Sequence, residues 1–366
     1  SDADAALLAQ ADAAVRRDRH ELVALLTGHP FPVRNVAQNV ADLKAQVAAN
    51  ATGVNELMRQ VEHFGLAAVK AYMGHVRDNA AENVRRVIAA LADAEFDTET
   101  DKGAHIRVKI TVDREARRAK VDFTGTSPVQ PDNFNAPEPV TRAAVLYVFR
   151  VMVDGQIPLN AGCLEPIDIV VPDGSMLKPA WPAAVVAGNV ETSQHVVDTL
   201  FGALGALSAA QGTMNNLTFG NARYQYYETI CSGAPAGPGF SGADAVHTHM
   251  TNSRLTDPEV LEFRFPVVVE DFHIRKGSGG RGRWHAGDGT ERTIRFLEPM
   301  HLAILSSHRR VRPFGLAGGE PGELGATFVR RLDGSLEELD ACDETQVAAG
   351  EAVILRTPTG GGYGEG

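Results

Sequence analysis

The chain has 366 residues, and 44% of them are hydrophobic, which is enough to build a large core in one big domain or two of ordinary size. Acidic residues outnumber basic ones, 46 to 35, and the formal charge of −11 is spread along the chain without a basic block. Because nucleic-acid binders present clustered positive charge, this distribution argues against a nucleic-acid partner.

The N-terminal residues and the cysteines indicate the compartment. Residues 1–20 lack a basic start followed by an apolar run, and they predict an amphipathic helix rather than a signal peptide. No stretch approaches the roughly 18 apolar residues that cross a bilayer, so no membrane association is expected. Cys163, Cys231 and Cys342 are far apart and show no paired spacing, which is typical of reduced thiols. We therefore expect a cytoplasmic protein.

Residues 38–92 carry the strongest helical pattern. Apolar residues recur at steps of three and four up to Phe64, Gly65 interrupts the pattern, and the same spacing resumes up to Leu91. This spacing predicts two helices that form an antiparallel hairpin.

From residue 104 the hydrophobic period changes to two. The segments HIRVKITVD and AKVDFTGTS alternate apolar and polar residues and predict a β-hairpin. A helix is predicted over residues 138–153, with prolines at its start. The following segment, LEPIDIVVPDGSMLKP, predicts a strand that ends in a Pro-Asp-Gly turn.

After about residue 258 the chain predicts strands separated by glycine-rich connections. The predicted strands are LEFRFPVVVEDFHIRKG, TERTIRFL, MHLAILSS, ATFVRRL, SLEEL and EAVILRTP. Taken together, these patterns predict an α+β fold with three regions. They are a helical N-terminal layer over residues 1–95, a mixed α/β centre over residues 96–257, and a β-rich C-terminal region over residues 258–366.

Hydrogen-bonding side chains cluster at the start of the helix predicted after residue 188. Capping of the helix N-terminus explains part of the segment Asn-Val-Glu-Thr-Ser-Gln that begins at Asn189. The segment holds more polar groups than one helix start can use, and the excess recurs in residues 211–216, which predicts a bound ligand or a second chain segment. Glu191, beside the helix N-terminus, is a candidate to orient a water molecule or to stabilise developing charge.

A second candidate segment is VHTHMTNSRLTDP. If it is extended, His247 and His249 project to the same face, with a spacing that can chelate a divalent metal. A pair of hydrogen-bonded imidazoles is the alternative, because no third ligand is clearly placed. We assign no metal ligand to this chain. The sequence also has no GxxxxGK[ST] motif, no GxGxxG between a strand and a helix, and no GxSxG, so it lacks the usual nucleotide and serine-nucleophile signatures.

Several collinear segments resemble the hydantoinase B and 5-oxoprolinase family. They include VAGNVETSQHVVDTLFGAL, QGTMNNLTFGN, GPGFSGADAVHTHMTNSRLTDPEVLEFRFPV, GSGGRGRWHAGDGTERTIRFLEP and TPTGGGYG. The resemblance runs from about residue 30 to the end. It implies an ATP-dependent system in which an ATPase module phosphorylates the oxygen of a cyclic amide and the B-type module completes opening of the ring. Phosphorylation makes the carbon of a resonance-stabilised amide electrophilic.

The resemblance implies that the chain is an enzyme component that is inactive alone. Its expected partners, in a hetero-oligomer, are a hydantoinase A-type ATPase that binds ATP and Mg, and the N-terminal half of the B module. In the family, the NDP, GGTH and AHHAD stretches supply the expected metal ligands, and they do not occur in this sequence. The resemblance therefore implies that the N-terminal half binds a divalent metal. The alternatives are a subunit of a related ATP-dependent ketone carboxylase, or a structural and assembly module without catalytic residues of its own.

The family's shared motifs also indicate the site residues. The resemblance implies catalytic roles for Glu191, His247 and His249, with a small cyclic amide as the substrate. It implies substrate contacts for Asn189, Ser193, Gln194, Thr213, Asn215, Asn216, Thr251 and Asn252.

Overall fold

The computed structural model describes residues 19–28, 32–33, 35–251 and 253–366. It divides into two compact units, residues 1–76 and 77–366, and each contains its own packing. The N-terminal helix predicted over residues 1–20 lies largely outside the described residues. The α+β class is confirmed. The division at residues 95 and 257 remains a prediction.

The described part of the chain contains six α-helices. They are α1 Arg19–Thr27, α2 Val36–Phe64, α3 Leu66–Ala90, α4 Glu138–Val151, α5 Ser193–Leu204 and α6 Pro258–Arg264. A 3₁₀ turn covers Ala161–Leu164, and a π-helical turn, Gly188–Thr192, leads directly into α5. None of the described helices is long and apolar enough to cross a bilayer.

The antiparallel hairpin predicted for residues 38–92 is wrong. Helices α2 and α3 are separated by Gly65 alone, which has a φ of +81°. One residue is too short to reverse a helix, since helical hairpins use connections of about two to five residues. Consequently Leu57 of α2 and Met73 of α3 are exposed rather than packed against each other.

The larger unit begins with a four-stranded sheet. Its strands, in spatial order, are β1 Ala94–Glu99, β2 His105–Asp113, β3 Arg118–Asp122 and β4 Ile167–Val170. Strands β1 to β3 are antiparallel, and β4 runs parallel to β3. Ile106, Val108 and Ile110 alternate with exposed residues along β2 and share one core with α4, α5 and the end of α3. The predicted hairpin of β2 and β3 and the predicted helix α4 are confirmed.

Two antiparallel sheets enclose the second core. One has the order β12 (Cys342–Val347), β9 (Met300–Leu305), β5 (Asn216–Gly220) and β6 (Gln225–Glu228). The other has the order β11 (Leu336–Leu339), β10 (Ala326–Arg330), β13 (Ala352–Arg356), β8 (Thr290–Phe296) and β7 (Val267–Ile274). Leu217, Ile294, Leu302 and Leu355 are buried in this core.

Several strands and one helix also differ from the predicted elements. Residues 261–264, predicted as the start of a strand, belong to α6, because the Asp257 carboxylate accepts hydrogen bonds from the backbone N–H groups of Glu259 and Val260 and caps that helix. Strands β5 and β6 were not predicted. Strands β1 and β12 were not predicted either. Both alternate between exposed and half-buried residues over most of their length, so their sequences lack a strong apolar period.

Helix α5 is enclosed by the rest of the larger unit. Each residue from Ser193 to Gly202 is buried, including its polar ones. The chain entering α5 passes very close to a neighbouring segment, since a Cβ on Gly188 would lie 2.6 Å from the carbonyl oxygen of Asn135. Polar side chains on α5 must therefore find partners inside the protein.

We predict that Ile106→Ala destabilises the larger unit by about 2–5 kcal/mol, because it removes a fully buried side chain and leaves a cavity. Urea unfolding followed by circular dichroism measures the change. Lys109→Ala, on the exposed face of the same strand, is the matched control and should change the free energy of unfolding by less than about 0.5 kcal/mol. Equal effects of the two substitutions would contradict the placement of the core.

Candidate functional site

Three ionisable side chains form a stripe along the π-turn and α5. Glu191, His195 and Asp198 are four and three residues apart, a spacing that places them on one helical face. Their exposed fractions are 0%, 3% and 2%. The stripe is therefore a buried polar surface, and its partners come from distant segments.

The Glu191 carboxylate accepts four hydrogen bonds. Its Oε1 accepts from Thr213 Oγ1 at 2.8 Å, from the Met214 backbone N–H at 3.2 Å and from Asn216 Nδ2 at 2.7 Å. Its Oε2 accepts from Ser307 Oγ at 2.7 Å. We call Glu191, Thr213, Asn216 and Ser307 the carboxylate cluster. It joins the start of α5 to the loop before β5 and the loop after β9.

The carboxylate cluster lies close to a buried guanidinium group. Burial raises the pKa of Glu191 to about 7, although the hydrogen-bond donors and the charge of Arg309 oppose the shift. Burial also lowers the pKa of Arg309 to about 10. Arg309 donates from Nη1 to the Ser307 carbonyl at 2.9 Å and from Nη2 to Asn215 Oδ1 at 3.3 Å. Glu191 is thus held near the midpoint of its titration at neutral pH.

Asp101, in the turn between β1 and β2, fixes the loop that carries Arg309. Its carboxylate accepts from the backbone N–H groups of Arg309 at 2.6 Å, Arg310 at 3.0 Å and Val311 at 2.8 Å. Burial disfavours ionisation of Asp101, but these donors outweigh it and hold the pKa of Asp101 below its usual value. A charged Asp101 therefore stabilises the loop at neutral pH.

A second cluster surrounds the other members of the stripe. The ring centroids of His195 and His308 are 4.9 Å apart. His249 Nε2 lies 3.3 Å from Asp198 Oδ1, and both side chains are 3% exposed. The Tyr147 hydroxyl lies 3.3 Å from His249 Nδ1. A phenol, an imidazole and a carboxylate therefore lie next to one another in space, in that order.

A cavity of about 160 Å³ adjoins this second cluster. We call it the imidazole chamber, because His195 and His308 line it together with Asp198. Its other lining residues are Phe96, Asp97, Thr98, Glu99, Ala209, Val311, Arg312 and Phe314.

The site residues predicted in the segment 189–194 differ in burial and in hydrogen-bond partners. Asn189 is exposed, and its carbonyl accepts from Ser193 Oγ at 2.6 Å. Gln194 is buried and bonds to the segment 248–250, with its Nε2 3.3 Å from the Thr248 carbonyl and its Oε1 3.5 Å from the Met250 backbone nitrogen. Neither the π-turn nor α5 has a side-chain cap, so capping does not explain this segment.

The site residues predicted in the segment 213–216 stabilise the loop before β5. Thr213 and Asn216 are partners of Glu191, and Asn216 Oδ1 accepts from the Tyr227 hydroxyl at 2.7 Å. Asn215 has a φ of +45° and donates to Gln211 Oε1 at 2.8 Å. The surplus of amides therefore serves a buried network that spans several segments.

The segment 247–252 is not extended, although the prediction that His247 and His249 project to the same face requires an extended segment. His249 has a φ of +59°, in the left-handed region. Its Nε2 lies 3.3 Å from Asp198 Oδ1 without hydrogen-bond geometry, and both ring nitrogens of His247 are buried without a hydrogen-bond partner. Thr251 Oγ1 accepts from the Ser253 backbone nitrogen at 3.3 Å. Asn252 lies outside the described residues.

Sequence reasoning missed seven residues of these clusters and their supports, and one of them, Tyr147, lies inside the predicted helix α4. His195 and Asp198 follow Glu191 at helical spacing, so a search for polar side chains on one helical face would have found them. The others lie in short irregular segments without a local signal; they are Asp101, Ser307, His308 and Arg309.

We predict that Glu191→Gln removes a component of the pH dependence of stability. The pKa of Glu191 is about 7 in the folded protein against 4.5 for an ordinary glutamate, so the unfolded chain loses its proton first as the pH rises. The stability of the native protein should therefore fall between about pH 4.5 and 7, by about 3 kcal/mol from this group. Urea unfolding of both proteins at several pH values measures the difference. Parallel pH profiles would contradict the raised pKa.

Comparisons with known proteins place this chain in a family. The hydantoinase B/oxoprolinase family model matches residues 8–366. A 5-oxoprolinase of Dictyostelium discoideum is 43% identical over 341 residues, which cover 91% of this chain and 27% of that protein. The chain thus spans about a quarter of that relative's length.

Two solved structures share the fold. The ATP-dependent caprolactamase from Pseudomonas jessenii has a TM-score of 0.80 at 20% identity, over 95% of this chain and 64% of that one. Nucleotide-free acetone carboxylase has a TM-score of 0.73 at 14% identity, over 84% of this chain and 50% of that one. Because the family model covers nearly the whole sequence, this chain belongs to the hydantoinase B/oxoprolinase family.

Proposed function

We propose that this chain is a component of an ATP-dependent hydrolase that opens cyclic amides, of the 5-oxoprolinase or hydantoinase type. Membership of the hydantoinase B/oxoprolinase family and 43% identity to a 5-oxoprolinase support the reaction class. The observation that carries the assignment to a site is the buried Asp198–His249 pair beside Tyr147. It supplies a positioned proton-transfer group next to the imidazole chamber.

The remaining parts of the enzyme are proposed to lie on other chains or segments. A hydantoinase A-type ATPase would bind ATP and Mg, and the N-terminal half of the B module would bind a divalent metal, in a hetero-oligomer. Among the described residues, one group of three has metal-ligand spacing: Asp271, His273 and Glu291. It is largely exposed, and His273 is paired with Asp271 and Glu291 with Arg356, so it does not fit a resident metal of a buried active site.

His249 is proposed as the proton donor to the ring nitrogen. When the amide C–N bond breaks, its electron pair passes to nitrogen, which must gain a proton to leave as an amine. The Asp198 carboxylate lies next to Nε2 and orients the imidazole, and the Tyr147 hydroxyl at Nδ1 is the group through which the proton would pass to the substrate. His247 was predicted to be catalytic; because both of its ring nitrogens are unpaired, it is proposed here to face the substrate instead.

Glu191 is proposed to act mainly as a positioning residue. Each of its carboxylate oxygens accepts from the protein's own donors, and the side chain is fully buried. Its pKa near 7 means that a proton can be taken up or released there at neutral pH. By holding Asn216 and Ser307, it would fix the loops on which the substrate-binding candidates lie.

We predict that His249→Gln lowers ring-opening turnover by about 10²–10⁴-fold, because it removes a general acid while keeping the size and polarity of the side chain. The measurement is 5-oxoproline-dependent ADP release by the chain reconstituted with its ATPase and the N-terminal part of the module. His273→Gln, at an exposed histidine of β7, is the matched control and should retain the wild-type rate.

Three outcomes would contradict the proposal. One is an unchanged rate in His249→Gln with an intact complex, and another is loss of the complex alone, which would favour an assembly role. The third is turnover of a ketone that depends on bicarbonate, which would indicate a carboxylase subunit instead.

A further inference from the structure

Three buried polar atoms around the imidazole chamber have no hydrogen-bond partner. They are His195 Nε2, Asp198 Oδ2 and His308 Nε2. All three side chains belong to residues that are at least 95% buried, and all three line the same cavity. Folded proteins pair the great majority of their buried polar atoms, so three unpaired atoms at one cavity indicate that the cavity receives a ligand.

Two of the three atoms are hydrogen-bond acceptors, and the third, His195 Nε2, is an acceptor in one of its two neutral tautomers. His308 Nδ1 lies 2.5 Å from the Val311 carbonyl, which can only accept, so Nδ1 carries the proton and Nε2 presents a lone pair. Burial lowers the pKa of His308 and lowers that of His195 to about 4, so both rings are neutral at pH 7. Asp198 Oδ1 already accepts from the Ala210 backbone N–H at 3.0 Å, which leaves Oδ2 unpaired. His195 Nε2 accepts when its ring carries the proton on Nδ1.

The charge around the imidazole chamber favours a cation. Its lining includes the buried carboxylate of Asp198, the exposed carboxylates of Asp97 and Glu99, and one guanidinium, Arg312; Asp97 is also paired with His105. Arg312 Nε donates to the Gly322 carbonyl at 2.6 Å, which holds that guanidinium outside the acceptor set. An anionic ligand would therefore meet carboxylates beside the unpaired acceptors.

The walls of the chamber suit a small apolar stem. The rings of Phe96 and Phe314 lie 4.8 Å apart between centroids, and Ala209 and Val311 complete the apolar lining. Gly212 lies against His308, since a Cβ at this position would be 2.1 Å from His308 Nε2. Space next to the acceptors is therefore limited to a small head group.

We propose that the imidazole chamber binds a primary ammonium group, whose three N–H donors match the unpaired acceptors of His195, Asp198 and His308. Its alkyl stem packs against Phe96 and Phe314. This inference rests on the proposed function for its biological meaning, because opening a cyclic amide releases an amino group. The chamber is then the subsite for the nitrogen of the opened product.

The test is direct binding to the full 366-residue chain without ATP. Butylammonium and butyltrimethylammonium carry the same charge and the same stem, but only the first has N–H donors. Histidine ring resonances observed by NMR report binding at the chamber. We expect butylammonium to bind at least about tenfold more tightly than the quaternary ion, since charge-assisted hydrogen bonds contribute that much or more.

Two substitutions test the acceptors. His308→Asn keeps a donor for the Val311 carbonyl, tolerates the φ of +57° at this position, and removes the Nε2 acceptor. Asp198→Asn keeps an acceptor for Ala210 and removes the charge. Each should weaken butylammonium binding at least about tenfold, whereas His273→Asn, at an exposed site, should leave it unchanged. Thermal unfolding identifies any variant that fails to fold, and the other variant then carries the test.

Equal binding of the two ammonium ions would overturn the inference, and so would wild-type affinity in a folded His308→Asn. Stoichiometric Zn²⁺ binding that is lost in these variants, without ammonium binding, would instead identify a metal site and overturn it too. The proposed function has a separate readout, since ammonium binding together with an inactive reconstituted enzyme would contradict only the function.

Discussion

The burial of one carboxylate organises the centre of this protein. Glu191 has no contact with solvent, and a buried carboxylate is costly unless donors surround it. The donors come from the loop before β5 and from Ser307, 116 residues further along the chain. Removing Ser307 would leave Oε2 unpaired, and Oε1 depends on three donors near the start of β5, so the start of α5 and both loops are held in one arrangement.

The same constraint extends along α5. Because the whole helix from Ser193 to Gly202 is buried, its polar face must be satisfied from outside the helix. Asp198 accepts a hydrogen bond from the Ala210 backbone and lies close to His249. Gln194 forms a hydrogen bond with the Thr248 carbonyl. Loops that would otherwise be independent therefore share one support, which is the usual requirement for a preorganised site.

The two clusters divide the proposed work. In the carboxylate cluster every oxygen of Glu191 has a partner, which suits a positioning role. In the imidazole chamber, three atoms of His195, Asp198 and His308 have no hydrogen-bond partner, which suits a site that binds a ligand from outside the chain. The distinction is one of hydrogen-bond satisfaction rather than of residue type, because a buried carboxylate occurs in both.

Much of the local structure followed from the sequence alone. The period-two alternation of β2 and β3, the prolines that begin α4, and the turn after β4 are encoded by neighbouring residues, and the structure contains all three. The failures have physical causes. The predicted hairpin is wrong because Gly65 alone cannot reverse a helix, and the strand predicted at residues 261–264 is wrong because the cap at Asp257 outweighs the strand propensity that follows it.

The sequence by itself determined the α+β class, the family and the polar surplus around Asn189 and Thr213. The tertiary structure alone decided what that surplus does. Asp101 meets the backbone of Arg309 across 208 residues, and His249 turns through a left-handed backbone to reach Asp198. Hydrophobic periods and capping residues act over a few positions, whereas hydrogen bonds between distant segments depend on the path of the folded chain. The sequence therefore indicated which side chains require partners, and the fold determined which partners they found.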